Sequence, residues 1–189
     1  ARGGERVGRD MLPVAVDAMG GDNAPDAIVE GARQAAEELG IPILLVGPPD
    51  VLGPLQGDLP VLAASEVIAM DADPATSVRT AKDSSLVRAA EAVRDGKASA
   101  MVSAGNTGAT MASALLKTGR IKGVARPAIA TPIPVFDDTP TVLLDAGANA
   151  ECSASWLVQF AQMGAVVWRD HVNKLRASVP TDSAEPADR

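Results

Sequence analysis

The sequence predicts an α/β protein, a three-layer α/β/α arrangement around a mostly parallel sheet. Three observations lead there. Short β-rich runs alternate with helical patterns along most of the 189 residues. With two Trp, two Phe and no Tyr, the core must be built from Ala, Val, Leu and Ile. Polar, glycine-bearing segments recur where strands end and helices begin, which is where open α/β sheets hold ligands.

Leu12–Val16 reads as a first strand. Pro25 suits the first position of a helix, its φ being set in advance. Ile28, Ala32, Ala35 and Leu39 then recur on one helical face, and Gly40 ends the element. Ile43–Val46 is a second strand, closed by Gly47-Pro48-Pro49, and Pro60–Ala64 a weaker third. Asp83 or Ser84 can cap a helix that turns Leu86, Ala90 and Val93 inward and Arg88, Glu91 and Arg94 outward, with Gly96 as its stop. Ala100–Val102 is a short strand before the turn Ser103–Thr110, and an alanine-rich helix follows to Lys117. Ala128–Val135 and Thr141–Leu144 flank Phe136–Pro140 and predict a hairpin whose prolines make the first arm an edge or irregular strand. Ser155 can cap a last helix in which Trp156, Leu157, Phe160, Met163, Val166, Val167 and Trp168 occupy nearly every face. Such a helix wants burial between two layers. The segment after it is rich in Asp, Glu, Ser and Pro and reads as disordered. The expected division is an extension at 1–10, part of one α/β domain at 11–170, and an unrelated tail at 171–189.

Composition narrows the function classes. A net charge of −7 without a basic stripe argues against nucleic-acid binding. No apolar run approaches the roughly 18 residues of a membrane span. The apolar run after the polar leader is too short for a signal peptide. A single cysteine, Cys152, excludes an internal disulfide and fits a reducing cytoplasm. With only His171, multi-histidine metal sites and histidine-centred catalysis have little material, so neither metal nor cofactor is expected.

Four segments can carry chemistry. They are Asp17–Pro25, Arg79–Ser85, Gly105–Gly108 and Asp145–Asn149. The third has the most distinctive form, a glycine-bracketed turn between strand and helix. Its N–H groups and the helix dipole suit a phosphate or carboxylate. Gly105 and Gly108 permit positive φ or close backbone approach, and Asn106 and Thr107 can cap or touch a ligand. The same features also suit a plain βα turn. The pattern is neither G-x-x-x-x-G-K-[ST] nor G-x-G-x-x-G, so no nucleotide is implied. Asp17 and Asp145 read as loop-shaping carboxylates. Arg79 and Lys82 can neutralise an anion or simply face solvent, and Ser84 and Ser85 are caps that can also reach a ligand. Cys152 has no nearby base and reads as an inert small residue.

These segments also carry a resemblance. The stretches AVDAMGGDNAPDAIVEGA (Ala15–Ala32), ASEVIAMDADPA (Ala64–Ala75), KDSSLVRA (Lys82–Ala89), SAGNTGA (Ser103–Ala109), GRIKGVARPAIAT (Gly119–Thr131) and TVLLDAGANAEC (Thr141–Cys152) resemble the bacterial phosphate acyltransferases of phospholipid synthesis. The resemblance covers about Met11 to Asp170, the N-terminal half of that family, and stops there. It implies a cytoplasmic, homodimeric enzyme with a phosphate acetyltransferase/isocitrate dehydrogenase-like fold. Such an enzyme works at the membrane surface and moves a fatty acyl group from acyl carrier protein to inorganic phosphate. On that basis Asn106 and Lys82 are the catalytic candidates. Gly105, Thr107, Gly108, Ser84, Asp17, Asn23 and Asp145 are the substrate-binding ones. Thr80 and Ala81 stand where the family often has more basic residues. Two other readings stand beside it: an inactive fragment of that enzyme, or a related transferase or dehydrogenase acting on another anionic substrate.

Overall fold

The structure is a computed structural model that describes residues 11–135, 140–149 and 151–172. They fall into two compact units, one ending at Gly119 and the other starting at Arg120. The tail expected to be disordered lies, from Asn173 on, outside the described residues, as do the extension 1–10 and most of the hairpin tip.

The first unit is a four-stranded sheet in the order β3-β2-β1-β4. Its strands are β1 (Val14–Asp17), β2 (Ile43–Gly47), β3 (Val61–Ala63) and β4 (Ala100–Val102). Every pairing is parallel, with Val14 opposite both Ile43 and Ala100. All four carboxyl ends therefore share one edge. Side chains alternate across the strands, and the two faces of the sheet are covered separately. Val16, Ile43 and Leu45 pack with Val29, Ala32 and Leu52 on one side, whereas Ala15 and Val46 pack with Ala89, Ala92 and Ala98 on the other. This is the expected three-layer arrangement. Each fully buried Leu or Val contributes about 1.5–3 kcal/mol, and the alanines let α4 lie close to the sheet.

The first face is covered by α1 (Asp26–Leu39), which ends at Gly40 in the left-handed conformation with φ 63°. A single turn, α2 (Pro49–Leu52), adds Leu52 to the same core. The other face carries α4 (Ser85–Arg94), with α5 (Thr107–Lys117) packed on α4 and α3 (Pro74–Thr80) packed on α5. Pro25 occupies the cap position of α1 and not its first turn. The first strand lies further along than Leu12–Val16, because it runs through the buried Asp17 to the site end of the sheet. Ser84 does cap α4, and Asn106 caps α5.

In the second unit β5 (Ala130–Ile133) and β6 (Thr141–Leu144) form the expected antiparallel hairpin, with Pro132 opposite Val142. The last helix, α6 (Ala154–Val167), starts one residue before the expected cap: Ser153 stands at that position and makes no capping bond. A π-helical turn, Trp168–Val172, follows. This helix packs one face on β6, where Phe160 is buried. Leu157, Val158, Val166 and Trp168 remain exposed, so the expected burial between two layers is not met among the described residues.

Candidate functional site

The chain leaves β1 for β2 and β3 on one side, then returns to place β4 on the other side of β1. That reversal marks the place, beyond the carboxyl ends of β1 and β4, where open α/β sheets bind ligands in a crevice. Two glycine loops meet there. Asp17, the last residue of β1, is 2% exposed. Its carboxylate accepts the Ser103 hydroxyl proton at 2.7 Å and the Met19 N–H at 3.3 Å. The Ser103 Oγ in turn accepts the Gly105 N–H at 3.1 Å. The loops touch so closely that a Cβ on Gly20 would stand 2.5 Å from Asp17 Oδ2 and 2.8 Å from Ser103 Oγ. Gly20 is thus required for space.

Asn106 fastens the next part of the turn. Its Oδ1 accepts the Ala109 N–H at 2.9 Å, closing the first turn of α5. Its Nδ2 donates to the carbonyls of Met70 and Ala72, at 2.8 and 3.1 Å. Both amide protons are therefore used inside the chain, tying the segment after β3 to the start of α5. Gly108 faces Pro74, whose Cγ would be 2.6 Å from an added Cβ. Neither Gly105 nor Gly108 has a positive φ; close approach, not unusual backbone geometry, is what these positions need. The N–H groups of Asn106, Thr107 and Gly108 have no partner among the described residues. Three open donors thus crown the helix start, where the dipole is positive.

The start of α4 lies on the same edge. Ser84 bridges to Glu66 beside the end of β3, and Ser85 N–H donates to Glu66 O. Ser84 is fully buried and its hydroxyl accepts the Val87 N–H at 3.4 Å, so that group is occupied as a cap. Asp83 accepts the Ser65 hydroxyl and N–H at 2.7 and 3.0 Å. Those bonds hold its carboxyl below the usual range, and the charge of Arg88 adds to the effect. Between these anchors Lys82 is exposed and makes no ion pair among the described residues. Asn23 is exposed on the loop after β1, where its carbonyl accepts the Ala27 N–H.

Further back, Glu91 links α4 to α5. Burial pushes its carboxyl up, but hydrogen bonds and attraction from Lys117, at 2.9 Å, and from Arg88, at 3.1 Å, leave it below its ordinary value. Asp73 caps α3 by accepting the Thr76 N–H at 2.8 Å, and its bonding to Thr76 likewise lowers its carboxyl.

Asp145 belongs to the second unit. It adopts φ 69°, and its carboxylate accepts the N–H groups of Ala148 and Asn149 at 3.0 and 3.2 Å and the Asn149 side chain at 3.1 Å. The exposed Cys152 thiol lies 3.9 Å from the same carboxylate. Ser103 stands outside the candidate set drawn from sequence, yet it contacts both glycine loops. Its only sequence signal was its place between the strand and the first glycine.

In a parallel α/β unit, open amides at a helix start can receive a small anion. The chain matches the sequence model of the family described as "Fatty acid synthesis protein" over residues 12–178, and it belongs to that family. The match runs past Asp170, beyond the point where the resemblance was expected to stop. Among curated relatives, the phosphate acyltransferase of Heliobacterium modesticaldum is 53% identical over 163 residues, which are 82% of this chain and 48% of that protein. That of Leptospira biflexa is 46% identical over 83% of this chain and 48% of its own length. That of Dictyoglomus turgidum is 43% identical over 86% and 50% respectively. The chain therefore spans about half the length of the curated relatives it matches. Among the described residues no helix is long and apolar enough to cross a membrane.

Proposed function

We propose that the chain is the N-terminal half of an enzyme that transfers a fatty acyl group from acyl carrier protein to inorganic phosphate. The product would be an acyl phosphate for phospholipid synthesis. The single observation that carries this reading is the trio of open N–H groups at Asn106, Thr107 and Gly108, set at the sheet's reversal point in a chain whose relatives are named phosphate acyltransferases. One phosphate oxygen attacks the thioester carbonyl carbon. The carbonyl electrons move onto oxygen, and collapse of that oxyanion expels the carrier thiolate, which takes up a proton. Phosphate is itself the nucleophile, so no covalent enzyme intermediate is needed.

Catalysis then rests on positioning and charge. Orientation can lower such a barrier by about 7–11 kcal/mol, and a single oxyanion donor by about 3–4 kcal/mol. The three open amides receive phosphate or the oxyanion. Lys82 supplies an exposed cation from the same edge, on a segment fixed by Ser84 and Asp83. The Asn106 side chain, fully engaged within the chain, acts by holding the helix start in place. Asp17 and Gly105 shape the turn from beneath, Asn23 lies on the loop after β1, and Asp145 orders its own loop. In this reading the enzyme is cytoplasmic and homodimeric, meets the membrane surface from outside, and uses neither metal nor cofactor.

The test is an acyl-phosphate assay with long-chain acyl carrier protein and inorganic phosphate, run on the chain joined to the remaining half of a relative. Phosphate-dependent release of the free carrier thiol with matching acyl phosphate is expected. Turnover that does not depend on phosphate would overturn the reading.

A further inference from the structure

We propose that Ser103 is a positioning residue that decides which amides of the turn stand open. This rests on the phosphate reading above and deepens it. The Ser103 hydroxyl sits between a group that can only accept, the Asp17 carboxylate at 2.7 Å, and one that can only donate, the Gly105 N–H at 3.1 Å. Only a group that donates and accepts at once fits between them, and among side chains this small a hydroxyl does both strongly and a thiol only weakly. Asp17 is buried, and no cation pairs with it among the described residues. Among the described residues its side chain accepts the Met19 N–H and the Ser103 hydroxyl.

Two consequences follow for the turn. Gly105 N–H is directed inward, and the open donors at the start of α5 are the consecutive set of Asn106, Thr107 and Gly108. The Ser103 hydroxyl also stands between the buried Asp17 side chain and the Gly105 N–H. Without the hydroxyl, Gly105 N–H is free to swing toward Asp17, from which it is separated by little more than the Ser103 Oγ. A Cβ on Gly20 would lie 2.5 Å from the carboxylate and 3.0 Å from Gly105 N. The turn would rotate, and the amides after it would lose their common direction. A purely structural role for Ser103 would lower stability alone. A positioning role also changes how tightly an anion binds at amides that Ser103 does not touch.

The experiment titrates the 189-residue chain with inorganic phosphate and follows its backbone amides by NMR. In the wild type, Asn106, Thr107 and Gly108 are expected to shift in a saturable way while Gly105 stays nearly still. Ser103→Ala should weaken phosphate binding about tenfold, the scale of one lost hydrogen bond to a charged group, and should shift Gly105. Ser103→Thr, which keeps the hydroxyl, should bind within about threefold of wild type. Should Ser103→Ala lose its cooperative melt, Ser103→Cys serves instead. Its thiol is a weak donor and acceptor, and weakened binding is again expected. Wild-type affinity in the folded Ala or Cys variant would overturn the positioning role while leaving the phosphate site standing. Absence of any shift at Asn106–Gly108 in the wild type would remove the phosphate reading and this inference with it.

Discussion

The turns Ser103–Gly108 and Asp145–Asn149 look alike in sequence. Each follows a short strand, and each carries glycine, asparagine and small residues. Their backbone donors meet opposite fates. Asp145 supplies an acceptor from within its own loop and consumes the N–H groups of Ala148 and Asn149. The other turn has no carboxylate of its own. Its acceptor comes from Asp17, on a different strand, and reaches only as far as Ser103 and, through it, Gly105. Asn106 takes one further amide, that of Ala109, and at the helix start those of Asn106, Thr107 and Gly108 are left open among the described residues. Where the acceptor is encoded thus decides which N–H groups of a strand-end turn are taken and which stay available.

Substitutions test this contrast. The largest effect is expected for Gly20→Ala, which forces a methyl into the Asp17–Ser103 contact. It should destabilise the first unit by about 1–3 kcal/mol in urea unfolding, and an unchanged midpoint would mean that the two loops are not in contact. Next is Asn106→Ala, which removes the α5 cap and both ties to the segment after β3. In the joined enzyme it should reduce turnover at least about tenfold, or 1.4 kcal/mol in barrier, measured as acyl phosphate formed. Asp145→Ala should cost about 1–2 kcal/mol. Its mark should be faster hydrogen exchange at Ala148 and Asn149, with the amides of Asn106–Gly108 unaffected.

The smallest effect comes from the acidic links of the first unit. The Glu91, Asp83 and Asp73 carboxyls all lie below their ordinary values in the folded protein. Their contribution is therefore complete above the unfolded values of 4.5 for Glu and 3.8 for Asp. It is lost as pH falls through the lower folded values. Glu91→Gln should cost about 1 kcal/mol near neutral pH. The gap from wild type should narrow as the solution is taken below about pH 4. A gap that widens in acid would reverse the sign assigned to the Lys117–Glu91 link.

Much of the first unit was legible because its signals are local. Ser84 and Asn106 announce the helices they cap, and Gly40 announces the end of α1. The single turn α2 and the seven-residue α3 are too short for a periodic face to emerge. For α3 the available signal was Asp73-Pro74, a capping residue before a proline at the first helical position. The site was legible in its parts only. Nothing local says that β4 returns beside β1, so the meeting of Asp17 with Ser103, 86 residues apart, depends on strand order. Likewise Asn106 reads as a cap, and its hold on Met70 and Ala72 exists only once α5 lies against the segment after β3. Fixing α6 from sequence failed in a different way. Its apolar residues predict burial, but a hairpin can cover only one side of it.

The contrast between the two turns is tested most directly by crystals of the chain grown with inorganic phosphate. An anion is expected within hydrogen-bond distance of the N–H groups of Asn106, Thr107 and Gly108, with the Asp145–Asn149 turn empty. Phosphate seated on the Asp145 loop instead, or a helix start at α5 that stays bare at saturating phosphate, would contradict it.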